Sequence, residues 1–289
     1  MKSKLIPTNF VLDSSRVNYF SRGFFINNYS YDDLPTYVSD RWNFGDTASD
    51  TAMYDRIEVV RGAAGLMNGT GNPSAYVNMV RKHADSNEFK GSASAETGSW
   101  NKQRYVLDLQ SPLTDSGKVR GRVIAGYQDN DTWIDRNEVN KKFLYAIVDA
   151  DLTDSTTLSV GFDHLRTSEN GASWGDLATW FSDGSRTHFN RSDNTAPEWA
   201  YTDKETNKVF ANLVQRFDNG WEARINAMYS MTKLYSRIAV PYYLYTSPDN
   251  ATGPCGVCSG GWNCGARTQE SIDMFACAGF EILGRQHLP

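Results

Sequence analysis

The chain has 289 residues, with 29 basic and 34 acidic side chains and a formal net charge of -5. That length suits one large domain or two ordinary ones. The charge balance excludes the basic face on which nucleic-acid affinity depends, so no nucleic-acid partner is expected. Aromatic residues make up 13%, and rings with an apolar body and a polar tip suit membrane–water boundaries.

No run approaches the ~18 apolar residues of a transmembrane helix. Barrel strands alternate and escape that test. The N-terminal "MKSKLIPTNF" lacks the apolar segment of a signal peptide. The expectation is a cytosolic protein or a chain without its natural start.

Up to about residue 84 the segments are short and irregular, as in a small mixed α/β unit. "RIEVV" at 56–60 and "YVNMVRK" at 76–82 read as strands. "DTASDTAMYD" reads as a helical turn capped by Asp46 or Thr47. Between the strands lies "RGAAGLMNGTGNPSA". Its spacing is not that of a phosphate loop, and no Lys-Ser/Thr follows. Gly62, Gly65, Gly69 and Gly71 permit positive φ and close backbone approach, and Pro73 stiffens the exit. A tight structural crossover between two strands is the simplest reading.

From residue 85 apolar and polar residues alternate with period two. Val119, Val123, Ala125 and Tyr127 share one face, and Arg120, Arg122 and Gln128 the other, with Ile124 an apolar exception. Leu144, Ala146, Val148, Ala150 and Leu152 oppose Asp149 and Asp151. Trp221, Ala223, Ile225, Ala227, Tyr229 and Met231 alternate with Glu222, Arg224, Asn226 and Ser230. A last run takes Ile272, Met274, Ala276, Ala278, Phe280 and Ile282 against Asp273, Cys277 and Glu281. About eight strands result, starting near Glu88, Gln103, Lys118, Lys141, Thr156, Lys204, Gly220 and Arg267.

Short links at 112–118, 152–157 and 217–221 alternate with longer ones near 133–140, 167–203 and 238–266. A β-sandwich gives no reason for that asymmetry. An outer-membrane barrel does, with short turns on one side and long loops on the other. The charges on the polar face suit a wide lumen holding water or a plug. The sheet reads as unfinished.

Cys255, Cys258 and Cys264 cluster in one segment, and Cys277 stands apart. A loop disulfide, a zinc site short of its fourth ligand and free thiols are three readings. The four histidines are scattered, with no Ser/His/Asp grouping and no HExxH. An enzyme is not expected.

"YDRIEVVRGAAGLMNGTGNPSAYVNMVRKHA" resembles the end of the plug domain of TonB-dependent siderophore receptors. "FSRGFFINNYSYDDLPTY" is similar to an earlier plug motif, and the likeness continues through "SAETGSWNKQRYVLDLQSPLTDSGKVRGRVIAGYQDND". Within that family the chain is most similar to receptors for ferric hydroxamates of the coprogen and rhodotorulic acid type, partly on "NTAPEWAYTDKE".

The resemblance implies a mainly β fold. Residues 1–84 would form the C-terminal part of a mixed α/β plug. Residues 85–289 would supply about the first eight antiparallel strands of a transmembrane β-barrel of about 22. It further implies an outer-membrane location, contact with outer-membrane lipid, and the TonB complex as partner. Iron would arrive only as ferric-siderophore cargo, so no intrinsic cofactor and no protein metal site are expected.

Three cargo contacts follow. Met67 and Asn68, beside Leu66, would form the tip of the glycine loop, the alternative being a plain crossover. Arg41 would bond an oxygen-rich chelate and Trp42 stack on it, or the two form a plug-surface pair. Trp174 and Trp180 would act from a long loop as a lid, against a membrane-girdle role that suits Trp133 and Tyr127 better. Two other readings stand beside transport: a truncated, non-transporting receptor fragment, and a small β-barrel or adhesin-type binding protein.

Overall fold

The computed structural model describes residues 8–13, 16–38, 49–62, 72–173, 180–241, 258–278, 280–282 and 285–287. Its N-terminal part holds two small sheets. The first is β1 (Thr8–Asp13), β2 (Arg16–Ser21) and β3 (Phe24–Phe25), paired in that order. The second contains β4 (Asn28–Tyr31), β5 (Leu34–Tyr37), β6 (Tyr54–Arg61) and β7 (Ala75–Arg81), in the order β5-β4-β7-β6.

β4 and β5 are joined by Asp32 and Asp33, both at positive φ (49° and 67°). That is the conformation a two-residue hairpin turn requires, and aspartate tolerates it better than most residues. β4 pairs parallel with β7, while β6 and β7 are antiparallel. The "RIEVV" and "YVNMVRK" runs fall on β6 and β7 as expected. The helical turn is the 3-10 turn Thr51–Met53. Its cap is Asp50, whose carboxylate accepts from Ala52 N at 3.0 Å. Asp46 and Thr47 lie outside the described residues.

The rest is one antiparallel meander: β8 (Lys90–Thr97), β9 (Gln103–Pro112), β10 (Val119–Asp131), β11 (Glu138–Asp151), β12 (Thr156–Asn170), β13 (Tyr201–Arg216), β14 (Trp221–Pro241) and β15 (Cys258–Ala278). A two-stranded ribbon, β16 (Phe280–Ile282) and β17 (Arg285–His287), follows. Two sequence-based boundaries move. β15 begins at Cys258 instead of near Arg267, and Phe280 and Ile282 belong to β16 instead of the long strand. "CSGGWNCGA" has loop composition, yet its register against β14 is unbroken from Gly265↔Leu234 to Cys258↔Pro241. Pairing with a neighbour overrides local propensity here.

The links at 113–118, 152–155 and 217–220 are short and those at 171–200 and 242–257 long, but the link expected to be longer near 133–140 is only 132–137, no longer than 113–118. Gly117 and Gly220 take positive φ in the short turns.

Burial separates the two faces. Tyr105, Leu107, Val123, Leu144, Val148, Val160, Val209, Ile225, Tyr229, Ile272 and Met274 are exposed on the outward face. The inward face turns Asp149, Ser159, Asp163, Lys208 and Asn226 toward the N-terminal unit, all buried. Apolar outside and charged inside is the reverse of a water-soluble sheet and fits a barrel wall in lipid. Ile124, the apolar exception on its polar face, is fully buried. It joins Phe143, Tyr145, Ile147, Phe210 and Met228 in a cluster with Tyr29, Tyr31 and Met53 of the N-terminal unit.

Glycines make room for the inward rings. A Cβ on Gly126 would stand 2.2 Å from the Phe143 ring. On Gly161 it would stand 2.3 Å from the Phe210 ring and 2.9 Å from the Ala146 carbonyl oxygen. Gly161→Ala is therefore expected to push Phe210 from its seat and cost about 1–3 kcal/mol. The measurement is the thermal midpoint of the folded protein. Val160→Leu, one residue away on the outward face, is expected to leave it nearly unchanged.

Candidate functional site at the plug and the wall

β7 ends at Arg81, and Arg81 with the three residues after it, Lys82 to Ala84, meets the inward face of the large sheet. Each makes its own anchor. The Arg81 guanidinium is buried, bonds Asp32 at 2.7 Å, and lies 4.0 Å from Asp163. It stacks over the rings of Phe210 (3.9 Å) and Tyr31 (4.9 Å). Asp163 on β12 also takes Lys208 of β13 at 3.2 Å. Two cations and two carboxylates thus share one cluster, in which Arg81, Lys208 and Asp163 are buried and each charge is paired.

Lys82 reaches Asp108 at 3.0 Å, and Arg122 holds the same carboxylate with two bonds of 2.8 Å. The Tyr145 hydroxyl donates to the Lys82 carbonyl at 2.6 Å. His83 Nδ1 meets Asp149 at 2.9 Å, and its carbonyl accepts from Arg122 at 2.9 Å. The Ala84 N–H donates to Asp149 at 2.6 Å, and its carbonyl accepts from Arg120 at 2.9 Å. Ser159 completes the shell around Asp149. A polar cleft of about 380 Å³ opens beside this seam, lined by Asp33, His83, Asp85, Asp151 and Arg216 among others.

A second anchor joins Asp50 to the wall nearer the long links. Arg104 grips its carboxylate with bonds of 2.7 and 2.9 Å, and Lys141 lies at 3.8 Å. Burial alone would raise the Asp50 carboxyl. The Arg104 bonds, the Ala52 N–H and the Lys141 charge outweigh it and hold the group below its ordinary range. His83 moves the other way. Its bond to Asp149 raises the imidazole above its ordinary value of 6.5, with burial opposing.

Such a seam can hold two bodies together through charges, and it lies along a polar cleft. Among the described residues no group of His, Cys, Asp and Glu could hold a metal ion.

Arg41, Trp42, Met67, Asn68, Trp174, Gly65, Gly69, Gly71 and Cys255 lie outside the described residues. Gly62 has φ +112° and its N–H donates to Ser74 O at 3.2 Å, as a crossover glycine would. Pro73 precedes β7 and is exposed. Trp180 is 54% exposed, with Arg186 stacked 5.9 Å from its ring centre. The structure does not bring Trp180 near the seam.

Cys258 and Cys264 sit six positions apart on β15. Extended chain separates them by about 20 Å, beyond the ~7 Å a disulfide can bridge. Cys264 is an exposed free thiol. The composition of the strands flagged Arg120, Arg122, Asp149 and Asp151 only as lumen charges. Asp32, Asp50, Arg104, Asp163 and Lys208 carried no signal, because their partners are set by register across distant segments.

Two predictions follow from this geometry. Asp163→Asn leaves Lys208 and Arg81 without their shared wall carboxylate. It is expected to destabilise the folded protein by about 3–5 kcal/mol, read from the denaturant midpoint. Asp163→Leu with Lys208→Met should recover part of that loss. For His83, the raised value means that protonation strengthens docking. The contribution is full below about pH 6.5 and fades as pH rises through the folded value. Proteolysis of the N-terminal unit is thus expected to be slower at about pH 5.5 than at about pH 8.5, and His83→Gln should remove the difference.

Residues 11–76 match the TonB-dependent Receptor Plug Domain family. The chain is 35% identical over 277 residues to the ferripyoverdine receptor of Pseudomonas aeruginosa, covering 95% of this chain and 33% of that protein. It is 36% identical over 279 residues to the ferric-pyoverdine 358 receptor of Pseudomonas putida, covering 94% and 33%. The crystal structure of the outer-membrane ferripyoverdine receptor of P. aeruginosa bound to ferripyoverdine superposes with a TM-score of 0.87 at 34% identity. The match spans 97% of this chain and 37% of that one. The alcaligin outer-membrane receptor of Bordetella pertussis gives 0.68 at 27% identity, over 97% and 40%. The chain thus spans about a third of the length of the curated relatives it matches. With a plug-domain match at one end and eight consecutive antiparallel strands after it, the chain is similar to a plug-and-barrel portion of these TonB-dependent siderophore receptors.

Proposed function

We propose that the protein carrying this chain is an outer-membrane transporter for a ferric siderophore of the pyoverdine class, energised by the TonB complex. One observation carries the reading. The large sheet is apolar outward and charged inward, and the charged face holds the plug-like unit through the Arg81–Ala84 seam. A wall with that polarity has lipid as its outer solvent. In lipid the free edges of β8 and β15 must be paired, so further strands would close the barrel in the whole protein.

Residues 1–84 would be plug and 85–289 barrel wall. Arg41, Trp42, Met67, Asn68, Trp174 and Trp180 remain our candidates for touching the cargo. Force transmitted by TonB would shift the plug against the seam, and the cleft beside it would widen. The coprogen or rhodotorulic acid assignment gains no support from the relatives, which are named for pyoverdine along nearly the whole of this chain.

The test is iron-restricted growth of a strain lacking the full-length gene. With ferric pyoverdine as sole iron source, growth is expected to fail and to return on complementation. Unchanged growth of the deletion strain, together with no binding of ferric pyoverdine by the purified receptor, would refute the proposal. A ferric coprogen arm separates the two cargo classes.

A further inference from the structure

The outward face carries a recess that cargo transport does not use. It lies at the short-turn end of β9, β10 and β11. Gly121 and Ala146 form its floor, and Phe89, Leu109, Leu113 and Val148 stand around it. Leu113 folds back from its turn to within 3.1 Å of where a Gly121 Cβ would be. Leu109 lies over Gly91 in the same way, 2.7 Å from a Cβ there. The resulting apolar groove encloses about 300 Å³.

Leu113 is also the wall of a second, polar hollow of about 330 Å³ in the turn itself. There Thr114 and Ser116 present hydroxyls 3.2 Å apart, and Asn87 and Asp115 add an amide and an exposed carboxylate. Beside it Lys118 pairs with Asp154 of the next turn at 3.2 Å, both well exposed. An exposed pair of this kind is weak and exchanges partners readily. An apolar groove that shares Leu113 with a hollow of hydroxyls and one carboxylate, flanked by an exposed ammonium and a second carboxylate, has the outline of an amphiphile.

We propose that this recess binds one phosphatidylethanolamine molecule of the membrane leaflet at the short-turn side. The proposal rests on the reading of the large sheet as a barrel wall in lipid. An acyl chain lies in the groove over Ala146, between Leu113 and Val148. The lipid phosphate meets Lys118 and the Thr114 and Ser116 hydroxyls. The headgroup ammonium, with three N–H donors, meets Asp115 and Asp154. Charge complementarity selects this occupant. A choline headgroup has no N–H to donate, and a glycerol headgroup has no cation for the two carboxylates.

The experiment is native mass spectrometry of the detergent-purified full-length receptor. Dioleoyl phosphatidylethanolamine, phosphatidylcholine and phosphatidylglycerol are added one at a time. One retained ethanolamine lipid is expected, bound about tenfold more tightly than either of the others. Gly121→Leu, which drives the Leu113 side chain off residue 121 and into the groove, should abolish that preference, and so should Asp115→Asn with Asp154→Asn. Should Gly121→Leu fail to give a heat-modifiable folded band, Val148→Phe closes the groove from its side. Equal retention of the three lipids, or a preference that survives these variants, overturns the proposal. Absence of the receptor from the outer-membrane fraction would instead sink the membrane reading, and that is measured separately.

Discussion

The guanidinium of Arg81 lies between Asp32 of its own unit and Asp163 and Phe210 of the wall. A buried cation is tolerated only when counter-charges and acceptors replace its water. That need fixes much else. Asp32 must sit at the tight β4–β5 turn, in the left-handed conformation that presents its carboxylate to Arg81. Asp163 must face inward in register with Lys208, which balances the second carboxylate. Gly161 must be a glycine so that the Phe210 ring can lie flat beneath the guanidinium. Moving one of these members would leave another charge stranded.

The outward face answers the opposite demand. In the barrel we propose, charges cannot stand in hydrocarbon, and across β10 to β13 Val123, Leu144, Val148, Val160 and Val209 hold outward positions while Asp149, Asp163 and Lys208 face inward. The inward face is therefore polar because the outward one cannot be. The N-terminal unit supplies complementary charges at those points: Lys82 for Asp108, His83 for Asp149, Asp50 for Arg104. Tyr31, Tyr145, Ile124 and Phe143 add an apolar patch that excludes water between the ionic contacts.

Much of this architecture was legible in the sequence. The alternation of Val119 to Gln128 and of Trp221 to Met231 follows from two faces with two solvents, so the wall strands announced themselves. The long links at 171–200 and 242–257 gave the sidedness, while the one near 133–140 was read as too long. Gly62 was readable because a crossover calls for positive φ. The partners were not readable. Asp163 looks like any strand aspartate until β12 and β13 are paired and Arg81 is brought against them. Ile124 looked like a break in the pattern because its reason for being apolar, the Tyr31 side of the plug-like unit, lies some ninety residues earlier in the chain. The last strand was misread at its start because Gly260 and Gly261 resemble a loop, whereas their place is set by β14.

The parallel pairing of β4 with β7 has a mechanical meaning. β7 is held at its C-terminal end by the anchors of residues 81–84, while tension entering through residues before Asn28 would pull β4 from its N-terminal end. For parallel strands those two directions oppose each other along the strand axis. The hydrogen bonds from Asn28↔Tyr76 to Tyr31↔Met79 are then loaded in shear, all at once. The antiparallel β6–β7 pair, pulled from one end, would instead open like a zipper, one bond at a time. Tension that reaches β4 therefore meets the resistant geometry and is passed through β7 to the wall before the β4–β7 pair comes apart.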